Sequence, residues 1–129
     1  MILDTDVLIA LLNGEPNAKN AIEHLEENGE KAATTIITVY ELLRGAYIST
    51  NHERNLAEVQ DLLSNIEILN LTIQACEEAS KIYRDLRRAG RLIGEFDTLI
   101  AAIVKMHSEA VMTRDEHFSL IQGIDIVEW

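Results

Sequence analysis

The sequence is poor in several residue types, and each shortage excludes a class of protein. Its only cysteine is Cys76, so neither an internal disulfide nor a four-cysteine zinc site can form. Its longest apolar runs, at 7–12 and 99–104, are far shorter than the roughly 18 residues that span a bilayer. We therefore expect a soluble, cytoplasmic protein with no membrane segment, in which Cys76 and Met106 belong to the core.

Positive charge is also scarce. Eleven Lys and Arg residues face 22 Asp and Glu, and the resulting net charge of -11 repels RNA, DNA and anionic lipid over most of the surface. Residues 81–91 differ, because five basic residues there meet one acid and give the stretch +4. This basic stretch either binds RNA phosphates or follows the preference of cations for the C-terminal half of a helix. Its cations are Lys81, Arg84, Arg87, Arg88 and Arg91.

The chain does contain a regular alternation of short apolar segments and helical patterns. The apolar segments predict buried strands at 1–3, 32–34, 67–69 and 110–112, with a fifth candidate at 125–127. Six helices are predicted: after residues 4–6, around 18–25, at 36–48, around 56–66, at 72–89 and at 96–107. This order predicts an α/β sandwich with helices on both faces of a central parallel sheet of four to five strands. With 129 residues and no linker, we expect a single domain over 1–129.

Three acidic residues fall at the ends of predicted elements. Asp4 and Asp115 each follow a predicted strand within a few residues, and the carboxyl ends of parallel strands are where such folds place their active crevice. Asp97 lies in the first turn of a strongly apolar helix, just after Gly94. Taken singly, each of these acids has an ordinary explanation as a turn residue, a helix cap or a partner of the helix dipole.

Glu41 is more informative because its predicted helix, 36–48, is apolar on nearly every side and is therefore expected to be buried. A buried carboxylate needs a partner, which would be either Arg44 one turn away or a metal ion. If Glu41 converges with Asp4, Asp97 and Asp115, each close pair of charges repels by roughly 4 kcal/mol at an effective dielectric constant near 20. Such a cluster requires a cation, and carboxylate oxygens suit Mg²⁺ or Mn²⁺ better than zinc. The corresponding chemistry is metal-assisted hydrolysis at a phosphate.

The histidines give no metal-ligand spacing. The four of them lie on separate segments, and we interpret them as surface or core residues, with only His117 close in sequence to a candidate site residue.

Four segments, taken in order, resemble the PIN-domain family and, within it, the VapC toxins of VapBC toxin-antitoxin systems. They are ILDTDVLI at 2–9, VYELLRG at 39–45, IGEFDTLIAA at 93–102 and TRDEHF at 113–118. The resemblance covers the whole chain and implies a PIN-like three-layer α/β/α sandwich. It also implies an endoribonuclease that requires Mg²⁺ or Mn²⁺, a homodimer, and a cognate VapB-type antitoxin that occupies the site.

The positions that match the family's acidic site are Asp4, Glu41, Asp97 and Asp115. Our hypothesis is that Asp4 and Asp97 hold the metal directly, that the other two hold it directly or through water, and that a metal-activated water attacks the phosphodiester in line. Thr5 and Thr113 are candidates for orienting these carboxylates. The sequence departs from the commonest family pattern at Asp6, where many relatives carry Asn or Ser, and at Asp115, where Asn is frequent. Both departures keep an oxygen that can bind a metal.

Two alternatives stay open at this level. The opening Asp4-Thr5-Asp6 also resembles the first motif of haloacid dehalogenase-type phosphotransferases, which need a phosphate-binding lysine after a later strand. Here Lys81 and Lys105 both lie within predicted helices. The second alternative is a non-catalytic PIN-like module that binds RNA or a partner, against which the full set of four acids argues.

Overall fold

The computed structural model describes all 129 residues and contains five short strands and six α-helices. The strands are β1 (Ile2–Leu3), β2 (Ala33–Thr35), β3 (Glu67–Leu69), β4 (Val111–Met112) and β5 (Ile126–Val127). The helices are α1 (Thr5–Leu12), α2 (Pro16–Glu27), α3 (Ile36–Ile48), α4 (His52–Ser64), α5 (Ile73–Arg88) and α6 (Glu95–His107). All eleven elements confirm the sequence predictions in type, while the 3₁₀ helix Glu116–Leu120 was not predicted.

The strands form one parallel sheet in the order β3-β2-β1-β4-β5. The chain first adds strands on one side of β1 and then returns to add β4 and β5 on the other side. The direction of strand addition therefore reverses between β1 and β4, and parallel sheets bind their ligands beyond the carboxyl ends of the strands at such a reversal. Asp4 and Thr113 are the residues that directly follow these two strands.

Helices cover both faces of the sheet, as the alternation of strands and helices predicted. Successive strand residues point to opposite faces, so Ile2 and Val111 pack against α5 and α6, whereas Leu3 and Met112 pack against α1, α2, α3 and α4. The two resulting core clusters bury 15 and 10 residues, and they hold the ends of β1 and β4 rigidly from both sides.

Some burial predictions were wrong. Cys76 and Met106 are exposed rather than part of the core. The helix 36–48 is not buried all round, because Tyr40, Tyr47 and Ile48 are exposed to 52%, 66% and 82%. Apolar periodicity alone overestimated burial here, since a helix on the outer layer of a sandwich contacts the core with only one stripe. None of the helices combines the length and the hydropathy needed to cross a membrane.

Candidate active site

Asp4 is the most deeply buried acid of the protein, with 5% of its surface exposed. It follows β1 and caps the N-terminus of α1, where its Oδ1 accepts a hydrogen bond of 2.8 Å from the backbone N–H of Thr5. Its Oδ2 accepts a bond of 2.7 Å from the hydroxyl of Thr113, the residue after β4. The ends of two adjacent strands thus fix the orientation of this carboxylate.

A threonine hydroxyl also holds Glu41. Thr5 donates from its Oγ1 to Glu41 Oε1 at 2.9 Å, and its hydroxyl lies 3.0 Å from that of the buried Thr38 in the first turn of α3. Every buried polar side chain in the protein except Asp4 is a threonine. Arg44, the alternative to a metal ion as the partner of Glu41, makes no ion pair with it. Its guanidinium instead stacks 5.2 Å from the ring centroid of Tyr40 and 5.4 Å from that of Phe96.

Asp97, Asp115 and His117 form a second part of the same site. Each offers a potential ligand atom, and these atoms all lie within 4.8 Å of one another. The Nδ1 atom of His117 lies 3.1 Å from Asp115 Oδ1 and 3.7 Å from Asp97 Oδ2. Asp115 caps the 3₁₀ helix by accepting from the backbone N–H of His117 at 2.9 Å, and this short turn brings the imidazole to the acids.

Sequence reasoning missed this placement of His117. It interpreted the histidine as a surface or core residue, although it noted that His117 is close in sequence to a candidate site residue, and the side chain is 56% exposed. The spacing of two residues from Asp115 was the available signal, but it becomes meaningful only when residues 116–120 adopt the 3₁₀ turn.

The electrostatics connect the two parts of the site. Burial raises the pKa of the Asp4 carboxyl to about 7; the hydrogen bonds from Thr113 and Thr5 oppose this rise in pKa, and the charges of Asp6 and Asp97 add to it. Burial is also the main cause of the raised pKa of Asp97, to which the charges of Asp115 and Glu41 contribute. The four acids named from the sequence therefore interact through their charges in the folded chain.

The residues present fit a hard divalent cation. None of these four carboxylates forms an ion pair with a lysine or arginine, and the only basic side chain that contacts any of them is the imidazole of His117. Carboxylates that repel one another without a protein counter-ion are the donor set that Mg²⁺ and Mn²⁺ prefer. Lys105, which the phosphotransferase alternative would require at the site, instead pairs with Glu78 at 2.9 Å.

The comparisons with known proteins agree with this architecture. The model of the PIN domain family matches residues 1–124. The tRNA(fMet)-specific endonuclease VapC of Salmonella typhimurium is 32% identical over 99% of this chain and 96% of its own length. Ribonuclease VapC2 of Haemophilus influenzae is 35% identical over 78% of this chain and 75% of its own length.

Solved structures agree as well. The DNA-bound VapBC of Salmonella typhimurium matches with a TM-score of 0.91 and 32% identity over 99% of this chain and 96% of the matched chain. VapBC2 of Rickettsia felis, bound to a promoter DNA fragment, matches with a TM-score of 0.91 and 25% identity over 99% of this chain and 97% of the matched chain. The chain therefore belongs to the PIN-domain family and, within it, to the VapC ribonuclease toxins of VapBC toxin-antitoxin systems.

Proposed function

We propose that residues 1–129 form a single PIN domain that binds Mg²⁺ or Mn²⁺ through Asp4, Glu41, Asp97 and Asp115 and hydrolyses RNA phosphodiesters at that ion. The observation that carries the proposal is the cluster of mutually repelling acids beside the carboxyl ends of β1 and β4, called here the β1/β4 edge, none of which has a lysine or arginine partner. When bound, the ion would activate water and neutralise charge on the phosphoryl oxygens.

The chain's own residues orient the carboxylates for this task. Thr5 holds Asp4 through its backbone N–H and Glu41 through its hydroxyl, so that one residue sets the orientation of two acids. Thr113 donates its hydroxyl proton to the Asp4 carboxylate, while its oxygen accepts the backbone N–H of Asp115 at 2.9 Å and so fixes the main chain of that residue. Residues that fix ligand orientation in this way commonly change metal affinity 10–100-fold when they are replaced.

The substrate we propose is an RNA, with initiator transfer RNA as the first candidate. The VapC enzymes of Salmonella typhimurium and Shigella flexneri are named as tRNA(fMet)-specific endonucleases, and they are 32% and 29% identical to this chain. The basic stretch 81–91 supports RNA binding, because its arginines and its lysine are exposed at the end of α5. Only one of them, Arg84, is paired with an acid, and that partner is the adjacent Asp85.

We further propose that the protein acts in the cytoplasm as a homodimer and is neutralised by a VapB-type antitoxin. The antitoxin is supported by the match to chains from solved VapBC complexes. The homodimer is supported by exposed apolar side chains at the end of α3, where Tyr47 and Ile48 face solvent in the single chain. Light scattering on the purified chain, with Ile48→Glu beside the wild type, tests the dimer. A monomeric wild type would contradict it.

The test of the activity is a cleavage assay with the purified full chain on initiator tRNA, on elongator tRNAs and on an unstructured RNA. We expect cleavage with Mg²⁺ or Mn²⁺, none with a chelator, and none in the variant Asp4→Asn. Selective loss of initiator tRNA supports the substrate, whereas equal cleavage of all RNAs contradicts it. Metal-independent binding without cleavage of any RNA would favour the non-catalytic module instead.

A further inference from the structure

Asp6 joins three segments of the chain next to the acidic site, and the proposed chemistry does not use it. It lies in the first turn of α1 and is partly buried. Its Oδ2 accepts from the backbone N–H of Arg114 at 2.7 Å and lies 3.2 Å from the hydroxyl of Thr113. Its Oδ1 accepts from the indole Nε1–H of Trp129 at 3.3 Å. The N–H groups of Arg114 and Trp129 can only donate, which suits a carboxylate, whereas an asparagine amide would set its NH₂ group against one of them.

The indole of Trp129 is held in place by Arg114. The guanidinium carbon of Arg114 lies 3.5 Å from the centroid of the Trp129 ring, and its Nε donates to the Trp129 carbonyl at 2.9 Å. A cation stacked on the ring face and a hydrogen bond to the backbone together restrict the indole to the orientation that faces Asp6.

Thr113 has one hydroxyl proton and two carboxylates within reach. The shorter distance, 2.7 Å, is to Asp4 Oδ2, and the longer, 3.2 Å, is to Asp6 Oδ2. Because Trp129 and Arg114 already supply Asp6 with donors, Asp6 competes weakly for this proton. The hydroxyl is thereby left to Asp4, whose orientation depends on it.

We propose that Trp129, acting through Asp6, is a positioning residue that directs the Thr113 hydroxyl to Asp4 and so orients Asp4 for a divalent cation. The inference rests on the proposed metal site and adds to it a contribution from Trp129, two residues beyond the end of β5. Trp129→Phe removes the indole donor but keeps an aromatic ring for Arg114 and leaves every charge unchanged. We expect it to weaken Mn²⁺ binding about tenfold, the lower end of the effect of residues that orient metal ligands.

Calorimetric titration of Mn²⁺ into the full chain tests this, with Asp97→Asn as the blank for binding to other surface acids. The matched control is Val127→Ala, which removes packing from the same core cluster at the same end of the chain but none of these hydrogen bonds. We expect Val127→Ala to bind Mn²⁺ like the wild type at a lowered Tm. Unchanged affinity in Trp129→Phe, or equal losses in both variants, would overturn the inference.

A second readout uses the fact that Trp129 is the only tryptophan, so its indole N–H gives a single, assignable NMR signal. We expect this signal to shift as Mg²⁺ is added, to keep shifting in Thr113→Ser and to stop responding in Thr113→Val. A response that persists in Thr113→Val would show that Thr113 is not the connection. Adding Trp129→Phe to Asp6→Asn should cause no further loss of Mn²⁺ affinity, and additive losses would contradict the route through Asp6.

The two hypotheses fail differently. A wild type that binds no Mn²⁺ refutes the proposed function and this inference together. Binding that is lost in Asp97→Asn and unaffected in Trp129→Phe leaves the proposed function standing and refutes this inference alone.

Discussion

The acids at the β1/β4 edge and the cations at the end of α5 are both charge clusters, but the fold treats them differently. At the edge, Asp4 is buried, its pKa is raised to about 7, and the hydroxyl of Thr113 and the backbone N–H of Thr5 hold it in one orientation. At the end of α5, the basic side chains are exposed and make only one contact with an acid, Arg84 to Asp85.

This difference indicates two roles: the buried acids suit chemistry, and the exposed cations suit long-range electrostatic attraction. Burying and orienting like charges costs folding free energy, and such a cost is typical of functional sites. Exposed cations cost little and act through the field that they project into solvent, which salt screens. Metal binding and cleavage at the β1/β4 edge should therefore change when a single atom is replaced. RNA binding by the basic stretch should instead change with net charge and with ionic strength.

The largest expected effect is that of Asp97→Asn, which removes one charge from the edge and keeps the side-chain volume. We expect RNA cleavage to fall about a thousandfold, because metal-ion stabilisation is worth several kcal/mol and each 1.4 kcal/mol changes the rate tenfold. Initial rates at the Mn²⁺ concentration that saturates the wild type measure this. The fold should survive, since Asp97 lies in the first turn of α6 and caps nothing, and circular dichroism provides the control. Full turnover in the folded variant would remove Asp97 from the site.

The next effect is that of pH on the metal-free protein and on metal binding. Asp4 binds its proton more tightly in the folded than in the unfolded chain, so the folded state holds more protons between about pH 4 and pH 7. Stability without metal should therefore decrease as pH rises through this window, by up to about 4 kcal/mol from this group alone. Urea unfolding with a chelator at pH 5 and at pH 8 measures the difference.

Metal binding should show the opposite trend, because the ion requires the ionised carboxylate. Below pH 7, the apparent affinity for Mn²⁺ should drop about tenfold per pH unit from Asp4 alone. Calorimetry between pH 5.5 and pH 8 measures this, and a flat profile would mean that Asp4 does not bind the ion.

A smaller effect is expected from His117→Gln, which removes the imidazole that contacts the carboxylates of Asp97 and Asp115. An imidazole nitrogen favours transition metals over Mg²⁺, so the preference for Mn²⁺ over Mg²⁺ should decrease in this variant, by at most about tenfold. Paired titrations of both ions measure the ratio. The matched control is His107→Gln, because His107 is the last residue of α6 and lies at the opposite end of that helix from Asp97. Equal changes in both variants would mean that His117 has no part in ion selection.

The smallest effect should come from the basic stretch. Reversing Arg87 and Arg88 to Glu is expected to leave Mn²⁺ affinity unchanged and to weaken RNA binding at low salt. If both arginines contact phosphates, the slope of log K against log salt should decrease by roughly 1.4, at about 0.7 for each phosphate on a single strand. Binding of a non-cleavable RNA at several salt concentrations measures the slope. An unchanged slope would mean that these cations only complement the helix dipole.

Much of the fold followed from local sequence patterns. The apolar spacing of 36–48 predicted α3 with both ends correct, and the short apolar segments predicted every strand to within one residue. These patterns depend on how the apolar residues repeat within one segment, and this periodicity is a local property. They failed where burial depends on neighbours: Tyr47 and Ile48 are apolar yet exposed, because the outer face of α3 has no layer above it.

The sequence by itself determined the element order, the parallel sheet, the three acids at element ends and Glu41 within α3, because periodicity, capping preferences and charge can all be read within short segments. Only the tertiary structure decided that β1 and β4 are neighbours, that Thr5 and not Arg44 holds Glu41, and that Trp129 reaches Asp6. These contacts join residues 36 to 123 positions apart, and no local pattern encodes such a pairing. The pairing arises when both hydrophobic faces of the sheet are buried, because this packing brings hydrogen-bond donors next to the polar groups at the carboxyl ends of the strands.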